Sequence, residues 1–267
     1  MHITDIINKG RPSFSFEFFP PKSERASESL FETIKDLESL APSYVSITYG
    51  AGGTTRERTH DLVEKILEKT NLIPIPHLTC VQHTEEEISN ILKRYSDKGI
   101  SNILALRGDN PKGDAQFDRS KDSFCFAREL VEFIRNYDNL ALDKKSKSFG
   151  IGVAGFPEGH PETPNRIKEM DYLKAKVDSG ADYICTQLFF DNHDFFDFRD
   201  RCELAGINIP IIAGIMPVTS ISGMQRMADL AAGSRFPAKL LKSIDRCNLD
   251  SDAVERVGIQ YATEQCS

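Results

Sequence analysis

Tryptophan is absent from the 267 residues, no two of the six cysteines form a Cys-x-x-Cys pair, and neither a long apolar run nor a dense basic block occurs. The scattered cysteines (Cys80, Cys125, Cys185, Cys202, Cys247 and Cys266) fit neither a zinc site nor a disulfide framework, which points to a reducing compartment. The longest apolar stretch, around Pro210 to Val218, falls well short of the ~20 residues that span a membrane, and the N-terminus carries no signal-peptide core. With 33 Lys and Arg against 40 Asp and Glu, the net charge of −7 argues against a nucleic-acid partner. A soluble cytoplasmic protein that engages neither membrane nor nucleic acid is expected.

What is present is alternation. Short apolar or β-branched runs at Ser13 to Phe18, Tyr44 to Ile47, Ile73 to His77, Asn102 to Leu106, Ser148 to Ala154, Tyr183 to Thr186 and Ile211 to Ile215 read as seven strands. Between them lie amphipathic segments with apolar residues at helical spacing, such as Ile88, Ile91, Leu92 and Tyr95. Thr84 with Glu87 predicts a capping box, Pro164 suits a first helical turn, and Asn136 to Lys147 reads as a solvated loop. Repeated βα units fit a doubly wound sheet or a barrel, and no Gly-x-Gly-x-x-Gly follows the first strand. An α/β fold of the (β/α)8 TIM-barrel type is therefore expected over 1–267 as a single catalytic domain, with the eighth strand missing from the count. An unpaired seventh-strand edge predicts a partner, such as a second copy in a homo-oligomer, or a disordered edge.

In such a barrel the chemistry sits at the C-terminal ends of the strands. Glu17 lies among Phe14, Phe16 and Phe18, where desolvation is expected to raise its pKa and suit it to general acid catalysis; a structural ion pair is the alternative. Arg107-Gly108-Asp109 leaves the fourth strand, able to approach a ligand, while Arg107 and Asp109 could instead pair with each other or cap the next helix. His77 ends the third strand and His160 follows the fifth, without a His-Glu-x-x-His pattern, so a metal is not expected. The glycine-rich turn Thr48 to Thr54 lacks the Lys-Ser/Thr of a P-loop, and Gln187 could address a heterocycle or barrel backbone. No strand interior holds a lysine, against a Schiff-base mechanism.

Taken together, FSFEFFPP, SITYGAGG, PHLTC, ALRGD, GFPEGHPE, LKAKVDSGAD, TQLFFD and GIMPV, in this order over Phe14 to Cys266, resemble the methylenetetrahydrofolate reductases. The resemblance implies FAD-dependent reduction of 5,10-methylenetetrahydrofolate to 5-methyltetrahydrofolate, with NADH or NADPH as electron donor. It implies Glu17 as general acid, Asp109 as the carboxylate beside flavin and substrate, and Gln187 as a substrate contact. Thr48, His77, Arg107, Gly108, His160, Lys176 and, by looser alignment, Phe126 and Ala127 fall on FAD-contact positions. Phe156 stands where some members carry Tyr, and Met227 is the nearest match to an aromatic that stacks on substrate or nicotinamide. Members continue into an F-Y-T-L-N-R strand and a closing helix that this sequence lacks. A flavin- or folate-binding barrel without turnover is accordingly the alternative.

Overall fold

The computed structural model describes residues 1–7, 12–50, 53–111, 117–141, 148–231 and 234–267. Seven strands occur among them: β1 (Ser15–Phe18), β2 (Tyr44–Ile47), β3 (Pro74–Thr79), β4 (Asn102–Leu106), β5 (Gly150–Gly155), β6 (Tyr183–Thr186) and β7 (Ile211–Ile212). They order as they occur in the chain, and the registered pairs are parallel. The helices are α1 (Ile3–Ile7), α2 (Glu24–Glu38), α3 (Gly53–Lys69), α4 (Glu85–Asp97), α5 (Ala127–Ala141), α6 (Arg166–Asp178), α7 (Asn192–Leu204), α8 (Ile221–Leu230), α9 (Ala238–Asp245) and α10 (Ser251–Cys266).

The chain forms two compact units, 1–153 with 176–182, and 154–175 with 183–267. In the first, registers place Glu17 opposite Ser46, Ser46 opposite Ile75, His77 opposite Leu104 and Thr79 opposite Leu106. Because side chains alternate with period two, Glu17, Ser46, His77 and Thr79 share one face. The starting end of that face is covered by α1: Asn102 accepts from the Ile3 N–H at 2.6 Å and donates to the Met1 carbonyl at 2.8 Å. Gly150, paired with Asn102, leaves the room, since a Cβ there would meet Asn102 Oδ1 and lie 2.7 Å from Ile3. This five-residue helix was not expected from the sequence. Its cue is only three isoleucines, and its partners lie a hundred residues downstream.

The second unit is built on β6 and β7 and a cluster of Phe190, Val218, Met227, Leu240, Ile244 and Val254, with Phe236 against Phe190 at 4.4 Å between ring centroids. Helix α10 approaches so closely that a Cβ at Gly258 would overlap the Val218 carbonyl.

Two local expectations are corrected. Pro164 precedes the first turn of α6 rather than sitting in it, because Asn165 Oδ1 accepts from the Ile167 and Lys168 N–H groups as the cap. The expected loop from Asn136 is helix to Ala141, and Asp138 is buried, accepting from the Phe149 N–H at 3.0 Å. The remainder, 142–147, lies outside the described residues. The capping box at Thr84 and Glu87 forms as expected.

Candidate functional site

At the exit end of β1 to β3, Glu17 Oε2 lies 3.3 Å from His77 Nε2 and accepts from the Ser46 hydroxyl at 3.2 Å. The Glu17 side chain is 45% exposed and that of His77 only 7%. Burial pushes the Glu17 carboxyl up, but the adjacent His77 imidazole, with help from Ser46, outweighs it and holds the pKa below the usual carboxylate value. The expected raised pKa is thus corrected: in the ligand-free protein Glu17 is a carboxylate near neutral pH. Alternation turns Phe16 and Phe18 to the opposite face of the strand from Glu17, and the sequence does not show that the register brings an imidazole and a hydroxyl to the same oxygen.

The His77–Glu17 approach is short enough for ionic attraction but does not align an N–H with the carboxylate, so His77 Nε2 stays buried without a directed hydrogen bond. Thr79 Oγ1, two residues on and on the same face, is likewise buried and unpartnered. An unmet buried polar atom costs about 1–3 kcal/mol, which a ligand with a polar edge would offset. Cys80 follows, fully buried, its thiol pushed up to about 12 by burial.

Thr48 leaves β2 with its N–H bonded to the Phe18 carbonyl and its own carbonyl accepting from the Thr59 hydroxyl. Behind it, Tyr49 meets His83 Nε2 at 3.1 Å, while His83 Nδ1 sits 3.1 Å from the Val81 carbonyl. Burial lowers the His83 pKa to about 4. A neutral ring, donating from Nδ1 and accepting at Nε2, satisfies both contacts. Of the glycine-rich turn, Ala51 and Gly52 lie outside the described residues, and Gly53 already begins α3.

Beyond β4, Gly108 adopts φ +78°, and a Cβ there would lie 2.8 Å from Val81 and 2.9 Å from Thr79. Glycine is required twice over, by conformation and by space. Arg107 is half-buried and Asp109 exposed. Arg119, which no local sequence pattern marks, donates to the Gly108 carbonyl at 3.0 Å, to Asn110 Oδ1 at 2.7 Å and to the Arg107 carbonyl at 3.4 Å. Phe126 is exposed and Ala127 opens α5, where Glu129 Oε2 accepts from the Cys125 and Phe126 N–H groups. Lys176, in the last turn of α6, leads toward the start of β6, whereas the other site residues of this unit lie in or just after strands or at the start of a helix.

In the second unit, Phe156 and His160 bracket a turn closed by the Gly159 N–H on the Phe156 carbonyl, their rings edge to face at 4.7 Å. Between them Glu158 has a side chain only 4% exposed, and burial raises its pKa to about 7. Its Oε2 accepts from the Arg235 N–H at 2.5 Å, and Oε1 is unpartnered. Gln187 donates its N–H to the Gly155 carbonyl, while its side-chain Oε1 accepts from the Leu188 N–H. Met227 belongs to the core, at 4% exposure, and so does not take the place of a stacking aromatic. Among the described residues no group of His, Cys, Asp or Glu is placed to hold a metal ion.

The family model described as methylenetetrahydrofolate reductase matches residues 2–267. "Methylenetetrahydrofolate reductase (NADH) 1" of Arabidopsis thaliana is 39% identical, over 99% of this chain and 45% of its own length. The 5,10-methylenetetrahydrofolate reductase of Escherichia coli is 37% identical, over 96% of this chain and 81% of its own. The chain thus spans less than half the length of the plant relative. Among solved structures, a Clostridium thermocellum protein that binds two copies of 5-methyl-5,6,7,8-tetrahydrofolic acid superposes with a TM-score of 0.66 at 17% identity, covering 99% of this chain and 84% of that one, a likeness of fold.

Proposed function

Since the chain belongs to the methylenetetrahydrofolate reductase family, we propose that it is a (β/α)8-type catalytic domain reducing 5,10-methylenetetrahydrofolate to 5-methyltetrahydrofolate. FAD is the proposed cofactor and NADH the proposed electron donor, the latter supported by the name of the plant relative. Bound FAD would carry the hydride from nicotinamide to folate. The observation that carries the reading is the cluster of Glu17, Ser46 and His77 at the strand exits, with His77 Nε2 facing Glu17 without a directed hydrogen bond and Thr79 Oγ1 buried without a hydrogen-bond partner on the same face. Those two atoms fit the polar edge of a planar heterocycle.

In this reading Glu17 protonates the folate nitrogen that leaves as the methylene bridge opens, and Asp109 stabilises the resulting cation. The free carboxylate takes its proton from solvent when ligands cover its exposed side, since exclusion of water pushes a carboxyl pKa up. Gln187 is proposed to contact the folate. Thr48, His77, Arg107, Gly108, Phe126, Ala127, Phe156, His160 and Lys176 are proposed FAD contacts on the family resemblance. A cytoplasmic setting belongs to the same reading and is supported by six free cysteines. Among the described residues no helix is long and apolar enough to cross a membrane.

The test is an anaerobic pair of half-reactions on the FAD-loaded protein. NADH should bleach the yellow flavin, and methylenetetrahydrofolate should restore the colour. A flavin that does not bleach, or one that folate does not reoxidise, overturns the reading.

A further inference from the structure

The turn after β4 has little regular structure to hold it. Residues 107–111 contain one left-handed glycine and an exposed Asp109, and the next regular element among the described residues is a 3₁₀ turn, Arg119–Lys121. A turn of this kind leaves carbonyls that the strand no longer satisfies. Here a single guanidinium gathers them. Arg119 Nη2 bonds both the Gly108 carbonyl and the Asn110 side chain, the two neighbours of Asp109 in the chain, and Nη1 reaches the Arg107 carbonyl.

Arg119 is itself held on several sides. Asp118 Oδ1 caps the 3₁₀ turn by accepting from Ser120 N and Oγ. The Arg119 carbonyl accepts from the Asp122 N–H and the Cys125 thiol, and the guanidinium lies 5.7 Å from the centre of the Phe117 ring. Asp122 Oδ2 accepts from the Gln82 N–H at 3.2 Å, which fastens the 3₁₀ turn to the segment following β3. The fork is preorganised before any ligand arrives, and a planar guanidinium can serve three acceptors where an ammonium has no matching fixed geometry.

We propose that Arg119 is a positioning residue for Asp109: it holds the Gly108 carbonyl before that carboxylate and the Asn110 side chain after it, and so aims it at the reacting centre. The catalytic meaning of the inference rests on the function proposed above, whereas the positioning itself does not.

Two measurements test it. In the ligand-free protein, backbone amide order of 108–110 by NMR relaxation should fall in Arg119→Met, fall less in Arg119→Lys, and stay unchanged in Lys121→Met, whose side chain is 81% exposed. Unchanged order in Arg119→Met overturns the proposal whether or not the protein is a reductase. In the FAD-loaded protein, Arg119→Lys and Arg119→Met should slow the folate half-reaction by about 10- to 100-fold, the scale expected of a misplaced group, and leave the NADH half-reaction within about threefold. Combined with Asp109→Asn, the Arg119 substitutions should slow the folate step no further than Asp109→Asn alone. A full, additive loss in the double variant shows that Arg119 acts independently of Asp109 and overturns the proposal. Loss of the folate step in the wild-type protein, with amide order still dependent on Arg119, removes the proposed function and keeps the positioning.

Discussion

Glu17 illustrates how one neighbour decides an ionisation state. Burial alone would raise its pKa, and an imidazole 3.3 Å away, with the Ser46 hydroxyl, reverses the direction. Because its folded pKa is depressed, the Glu17–His77 contact contributes stability above the ordinary carboxylate pKa and loses it as pH falls through the lower folded value. His77→Asn should move that acid-side loss to higher pH, measurable as the Glu17 carboxyl titration by NMR; an unmoved titration would separate the two groups. Glu17→Gln should retain FAD and the NADH half-reaction while abolishing folate reduction, because the amide keeps the shape and cannot supply a proton. Equal loss in both half-reactions would make Glu17 structural. For Asp109→Asn the flavin midpoint potential should rise, since a full charge at about 4 Å and an effective dielectric of about 20 contributes up to about 4 kcal/mol. An unchanged potential would put Asp109 away from the flavin.

Among the elements, the turn after β5 is tied by Glu158 to the Arg235 backbone. The Glu158 pKa is raised from 4.5 to about 7, so its contribution is fully present below pH 4.5 and fades as pH rises through about 7. That change is on the order of 3 kcal/mol. Thermal melts across this window should fall for the wild type and flatten for Glu158→Gln; parallel curves would exclude the carboxyl as the cause. Gly258→Ala in α10 should destabilise by about 1–3 kcal/mol or more, because its Cβ has only the Val218 carbonyl to push against, and a melt will read it. At this scale the sequence was most legible. β2, β4 and β6 occupy the residues that alternation and β-branching indicate, and the capping box at Thr84 appears where its spacing places it. The failures are tertiary. Asp138 sits in what reads as a solvated stretch because the Phe149 N–H meets it from beyond its own helix, with Arg135 one turn back in α5 beside it. Ser46 and Arg119 gain their roles only from sheet register and from a turn whose path local pattern does not encode.

At the scale of the molecule, neither unit is a continuous stretch of chain, since 176–182 belongs with 1–153. Arg135 shows why: it donates to the Gly180 carbonyl at 2.6 Å and to Asp182 at 2.6 Å, and Asp182 also accepts from the Ile151 N–H at 2.7 Å. A fragment 1–153 would leave these donors without acceptors, and it should be insoluble or melt without a cooperative transition. A cooperative melt like that of the whole chain would show that the returning segment is dispensable. The order of strands was legible because each βα unit repeats one pattern, whereas the division into two units rests on pairings between residues some 45 positions apart, which periodicity does not report.

Cys80 offers a built-in clock. Its backbone N–H is bonded to the Leu106 carbonyl, its side chain has no exposed surface and its thiol ionises only near 12, so an alkylating reagent can reach it only when the end of β3 opens. Cys266, exposed on α10, reacts without any opening and serves as the internal reference. The ratio of the two labelling rates therefore reads how often the strand exits breathe, and any molecule that settles on His77 and Thr79 should slow that clock before a single turnover is measured.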